Sequence, residues 1–265
     1  MRLPALPFWN APPTVSVLRL QGAIGIGARG LSDAGTRDMI ERAFLKGKPK
    51  AVALEINSPG GSPVQSALIA ARIRRLSEEK GIPVIAFVED VAASGGYWLA
   101  TAADEIYADR GSMLGSIGVI SAGFGATELL EKAGIERRVH TAGNSKSLLD
   151  PFRPEKPEDV ARLERWLEQL HGYFIDHVTS RRGAKLADNP DLFTGDVWIG
   201  ERAVEQGLAD GIGHLVPMMK QRFGDKVRLR RYGPKRSLMQ RFGMAMGAEA
   251  LGAVEDRAAF ARFGL

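Results

Sequence analysis

The chain has 265 residues and a net charge of +5, with 45% hydrophobic and 25% charged residues, the mix of an ordinary globular protein rather than of a disordered, collagen-like or disulfide-scaffold chain. It contains no cysteine, which excludes disulfides, thiolate-bound zinc, iron–sulfur clusters and a thiol nucleophile, and its four histidines (His140, His171, His177, His214) argue against a multi-histidine metal site. The positive charge is uneven: Lys220–Arg241 holds nine Lys/Arg against one acid, so the rest of the chain is slightly acidic.

Residues 1–14 read as an N-terminal arm. Met1–Trp9 carries one positive charge and short apolar pieces broken by proline, whereas a secretory signal needs an unbroken apolar region of about 7–15 residues. The longest uncharged stretch, Gly111–Thr127, is rich in Gly and Ser and falls short of the roughly 20 residues of a membrane span.

Residues 15–216 read as one catalytic domain of alternating strands and helices. Val15–Leu20 predicts a strand, Gly22–Gly35 a glycine-rich loop, and Thr36–Leu45 a helix with Met39, Ile40, Ala43 and Phe44 on one face. Ala51–Ile56 is a second, buried strand. After the Asn57–Gly61 turn, Ser62 as N-cap and Pro63 in the first turn start a helix that runs to Lys80. Val84–Val88 is a third strand, Glu89–Ala93 a loop, Ser94–Ala103 a short helix and Glu105–Ala108 a strand. Further on come expected strands at Ser116–Ile120 and Arg137–His140. Helices are expected at Ala126–Ala133, Pro157–Arg182 and Glu201–Gln206. In the long helix Leu163, Trp166, Leu167, Leu170, Phe174 and Val178 share a face. This alternation predicts an α/β fold with mostly parallel strands. Residues 217–265 read as a basic, then apolar, helical tail.

In such folds sites form beyond the carboxyl ends of strands. Two glycine-rich loops lie there, Asn57–Gly61 and Ala92–Gly96, each presenting backbone N–H groups that can stabilise an oxyanion. Taken singly, the first is an ordinary strand–helix turn and Ser94 an ordinary N-cap. Neither loop has the spacing of a dinucleotide fingerprint, and the sequence around Ser94 (AASGG) lacks the nucleophile-elbow pattern. A serine nucleophile needs a base. His171 and His177 fall within the long helix and His214 near the domain's end, which leaves His140, or Lys146 in the small-residue loop Thr141–Ser147. A lysine base must be neutral, so its site would have to desolvate it.

Four segments in order resemble peptidase family S49, the signal peptide peptidase A family: Ile56–Gly61 (INSPGG), Ala93–Tyr97 (ASGGY), Gly115–Val119 (GSIGV) and Gly143–Ser147 (GNSKS), with Gly195–Gly213 resembling the family's closing segment. The resemblance covers roughly Val15 to Val216 and places Lys146 52 residues after Ser94. It implies a ClpP/crotonase-like fold, Ser94 as nucleophile, Lys146 as general base, Ser116 as the group that orients the lysine, and the Gly61 and Gly95 N–H groups as oxyanion hole. It also implies no metal or cofactor, and extended peptide substrates with small or hydrophobic side chains, signal-peptide remnants among them. The homo-oligomer it implies is a ring or dome in which neighbouring subunits help build the site. A crotonase-like acyl-CoA enzyme and an inactive scaffold on the same fold are the rival readings; the first leaves Ser94 and Lys146 idle and the second leaves the whole serine–lysine set unexplained. With no signal or anchor in the sequence, the expected location is the cytoplasm. The tail is expected to contact a neighbouring subunit, with peripheral contact at the inner membrane face as the alternative, and nucleic acid is not an expected partner.

Overall fold

The computed structural model describes residues 12–25, 30–143, 146–233 and 257–265. Most of the expected arm, and residues 234–256 of the expected tail, therefore lie outside the described residues. Strands β1 (Thr14–Gln21), β2 (Ala51–Ser58) and β3 (Val84–Ala93) form the centre of a parallel sheet, linked by helices α1 (Asp33–Leu45) and α2 (Pro63–Lys80). The predicted caps are in place: Ser62 accepts the Gln65 N–H, and Gly81 ends α2 at a φ of 61°. Helix α1 starts earlier than its apolar spacing suggests, because Ser32 caps it through the Gly35 N–H.

β3 is longer than expected and changes neighbour along its length. Its first half, Ile85–Val88, pairs with β4 (Glu105–Ala108), and its end, Val91–Ala93, pairs with β5 (Met113–Gly115). The short helix α3 (Gly95–Ala100) connects β3 to β4. β5 then pairs antiparallel with β6 (Val197–Ile199). The strand expected at Ser116–Ile120 therefore ends before it begins: Gly115 and Ser116 have φ of 106° and 49°, which turn the chain out of the ladder. The strand expected at Arg137–His140 is absent. That segment is exposed, with no strand beside it among the described residues, and its arginines pair locally with Glu136 and Asp150.

Successive residues of a strand face opposite sides of the sheet. Leu18, Leu20, Val52, Leu54, Ile56, Val84, Ala86 and Val88 pack against α1, α2 and α3 in the larger core cluster. Val15, Val17, Ala51, Ala53, Ile85 and Phe87 face the other way and need a second cover. That cover is α7 (Leu215–Phe223), through Leu215 and a fully buried Met219. The chain then adds β8 (Arg228–Tyr232), parallel to β1 and carrying part of the basic run. The expected boundary at 216/217 thus falls inside a helix that closes the core, and the first part of the expected tail is integral to the sheet. Its charge was misleading because the strand alternates: Tyr232 is buried while Arg231 reaches Glu55 across the sheet face.

α5 (Pro157–Arg182) matches its predicted bounds, but only its C-terminal half joins the core. Phe174 and Val178 are buried, whereas Trp166 and Leu170 are exposed. Between Gly118 and Tyr173 no described residue is buried, α4 (Thr127–Lys132) included. The buried half of α5 holds α3. Trp98 stacks on His177 at 4.2 Å and on Phe174 at 5.0 Å, His177 Nε2 lies 2.8 Å from Thr101 Oγ1, and Arg181 donates to the Thr101 and Ala103 carbonyls. Arg182 pairs with Asp210 in the interior. The remaining elements, α6 (Glu201–Glu205) and β7 (Gly211–Ile212, paired with β4), complete this end of the fold.

Two tests follow from these contacts. Met219→Ala leaves a cavity under the second sheet face, and should lower the unfolding free energy by about 2–5 kcal/mol in a denaturant titration. Burial, with the nearby Arg181 charge second, holds His177 at a pKa of about 4 against an ordinary 6.5. In the unfolded chain this histidine takes up a proton near pH 6.5, so acidification favours unfolding across that window. Its contribution is complete above about 6.5 and declines as pH falls towards 4; His177→Gln should flatten that part of the stability–pH profile.

Candidate active site

The end of β2 and the end of β3 deliver the two glycine-rich loops to one place. Ser94, between β3 and α3, has φ 51° and ψ −123°, a conformation costly for a residue with a side chain. It is held there by its N–H donating to the Gly115 carbonyl at 2.8 Å, and by the Tyr97 and Trp98 N–H groups donating to its own carbonyl at 2.9 and 3.0 Å. The Ser94 side chain makes no capping hydrogen bond and is half-buried, so the hydroxyl is left available at the turn.

The Asn57–Gly61 loop lies directly against this turn. A Cβ on Gly60 would stand 2.8 Å from Ser94 Cβ and 2.9 Å from the Gly95 nitrogen. A Cβ on Gly95 would collide with Ser66 Oγ and come within 3.4 Å of the Gly61 nitrogen, and one on Gly96 would meet the Ser58 carbonyl. Glycine at these places is a requirement of backbone-to-backbone contact. Among the described residues, neither the Gly61 nor the Gly95 N–H has a backbone acceptor. Both donors thus lie close to the Ser94 turn without a backbone partner, as donors to a developing negative oxygen would have to. Asn57 Nδ2 donates to Asp90 Oδ2 at 2.6 Å, which ties β2 to β3 where their register shifts between Ile56 and Ser58.

Ser116 follows Gly115, the residue whose carbonyl accepts the Ser94 N–H. Its own N–H donates to the Asp196 carbonyl at 2.7 Å. It is thus next to the nucleophile turn, in a second left-handed conformation. Lys146 is placed differently: it is exposed, its N–H donates to the Gly143 carbonyl at 3.2 Å, and its amine has no hydrogen-bond or ion-pair partner among the described residues. The described residues do not supply the burial that a lysine base requires. Three of the histidines are engaged elsewhere: His171 bonds the Ile117 carbonyl, His177 bonds Thr101 and His214 bonds Asp109, while His140, like Lys146, is exposed.

Reading the sequence missed the segment that backs this site. Gly22–Gly25, expected as open loop, runs beside the Asn57–Ser62 stretch, with Ile24 and Gly61 in a parallel bridge. Nothing local marks its place in the site, because the partners that bring it there, Asn57, Gly60 and Ser62, lie more than thirty residues away. Among the described residues no group of acidic residues and histidines is placed to hold a metal ion.

The sequence profile of peptidase family S49 matches residues 77–222. Over 271 residues the chain is 49% identical to a Brucella melitensis protein named Na(+)/H(+) antiporter NhaA, covering 95% of this chain and 37% of that one. It is 34% identical over 209 residues to the chloroplastic serine protease SPPA of Arabidopsis thaliana, covering 76% of this chain and 31% of that one. It is 35% identical over 217 residues to Protease 4 of Haemophilus influenzae, covering 78% and 34%. The chain thus spans about a third of the length of these relatives. No helix among its described residues is long and apolar enough to cross a membrane. A solved membrane-bound stomatin-specific protease in complex with a substrate peptide has the same fold, with a TM-score of 0.54 over 90% of this chain and 99% of that one at 15% identity. Matched by the family profile over more than half its length, and folded as a parallel α/β sheet of the ClpP/crotonase-like type, the chain belongs to peptidase family S49.

Proposed function

We propose that the chain is a serine peptidase that hydrolyses peptide bonds with Ser94 and Lys146. The observation that carries this reading is the strained Ser94 turn with the free Gly61 and Gly95 N–H groups beside its hydroxyl. Family membership points the same way. Ser94 Oγ attacks the scissile carbonyl carbon while the neutral Lys146 amine takes the hydroxyl proton. The carbonyl oxygen, now negative, accepts from Gly61 and Gly95. The intermediate collapses, the leaving amine takes the proton from Lys146, and water then attacks the acyl-serine with the same lysine as base. Ser116 orients the lysine amine. The substrates are extended peptides with small or hydrophobic side chains, signal-peptide remnants included.

The exposed position of Lys146 makes assembly part of this proposal. Lys146 lies in the Gly118–Tyr173 stretch, where nothing described is buried and Ile120, Phe124, Leu129 and Ile135 are each more than half exposed. A surface of that kind is an interface in waiting. In a closed homo-oligomer it is covered by a neighbouring copy, and that covering supplies the desolvation Lys146 needs.

Ser94→Ala and Lys146→Ala should each lower turnover of a fluorogenic peptide at least about a thousandfold. The unfolding midpoint of the Lys146 variant should stay in place, because its amine has no hydrogen-bond or ion-pair partner among the described residues that the substitution would remove. Turnover retained in Lys146→Ala, or lost in His140→Ala, contradicts the assignment. Light scattering that gives a monomer at micromolar concentration contradicts the assembly.

A further inference from the structure

The Gly61 N–H can serve as an oxyanion donor only if the Gly60–Gly61 peptide is held one way round. Both glycines have left-handed φ, 101° and 143°, and without side chains little inside the loop itself opposes a flip of that peptide. The orientation is imposed from the side opposite Ser94. The Gly60 carbonyl accepts the Ile24 N–H at 2.8 Å, and the Ile24 carbonyl accepts the Ser62 N–H at 2.7 Å. In a trans peptide the N–H points away from the C=O of the same unit, so a carbonyl turned to Ile24 turns the Gly61 N–H towards Gly95.

What holds this arrangement at its root is the side chain of Ser58. It is fully buried and makes two hydrogen bonds: Oγ donates to the Gly22 carbonyl at 2.7 Å and accepts the Gly60 N–H at 3.3 Å. The Gly22 N–H in turn donates to the Asn57 carbonyl at 3.0 Å. The Ser58 backbone packs on Gly96, so the residue also touches the nucleophile helix. One hydroxyl therefore fixes the spacing between the Gly22–Ile24 segment and the Gly60 peptide, while its backbone rests on the element that starts at Ser94. An alanine there fits the space but leaves the Gly60 N–H and the Gly22 carbonyl without their partner.

We propose that Ser58 is a positioning residue that aims the Gly61 N–H into the oxyanion hole. The inference rests on the serine-peptidase reading of Ser94. Its effect is confined to the transition state, because the ground-state carbonyl asks little of the hole.

The full-length chain and its Ser58→Ala and Ser94→Ala variants are assayed on a fluorogenic peptide with alanine before the scissile bond, and for inhibition by the matching peptide aldehyde, whose adduct oxygen occupies the hole. Removing a whole donor costs about a hundred- to a thousandfold in kcat, so misaiming one should cost about ten- to a hundredfold. KM should stay within about twofold, and aldehyde affinity should fall by the same factor as kcat. Wild-type kcat in Ser58→Ala overturns the inference, as does a kcat loss that leaves aldehyde affinity unchanged. If Ser58→Ala gives no cooperative unfolding transition, Ser58→Cys, with its weaker donor, is measured in its place; a reduced kcat with matching loss of aldehyde affinity supports the inference and a wild-type kcat overturns it. A dead Ser94→Ala beside a fully active Ser58 variant removes this inference alone, whereas turnover in Ser94→Ala removes the reading on which it rests.

Discussion

The site depends on backbone touching backbone. Three segments distant in sequence, Gly22–Gly25, Ser58–Ser62 and Ser94–Gly96, lie so close that a methyl group on Gly60, Gly61, Gly95 or Gly96 would strike main-chain or buried side-chain atoms. Contact at that range brings amide donors to within reach of one reacting oxygen and leaves little room for rearrangement. It also explains why a strained Ser94 persists: its N–H and carbonyl are both engaged, and the loop packed against it cannot yield. The large parallel core beneath holds β2 and β3, and with them both loops, in register.

That core has two faces with different owners. One is covered by α1, α2 and α3, which follow their strands directly in sequence. The other is covered by α7, from the far end of the described domain, and the sheet edge beyond β1 is closed by β8. Residues that stabilise the nucleophile helix also come from afar: His177, Phe174 and Arg181 on α5 grip Trp98 and the carbonyls at the C-terminal end of α3. The Ser94 turn is thus set by a well-buried frame. The proposed base sits on a stretch in which no described residue is buried.

The sequence by itself determined the local features. Strand–helix alternation, the Ser62 cap with Pro63, the full length of α5, and the serine and glycines of the two loops were all legible, because periodicity, capping chemistry and glycine content are properties of neighbouring residues. Tertiary structure decided whatever depends on a distant partner. Arg228–Tyr232 is a strand only because β1 offers it an edge, while Arg137–His140, similar in local character, has no such edge and stays irregular. Gly22–Gly25 supports the site only because its amides meet a loop thirty residues on, and Ser58 carries its role through bonds to Gly22 and Gly60 that no spacing rule encodes. A residue's own pattern states which side it buries. Which group it meets there is fixed only when the chain closes on itself, since a hydrogen bond needs both ends.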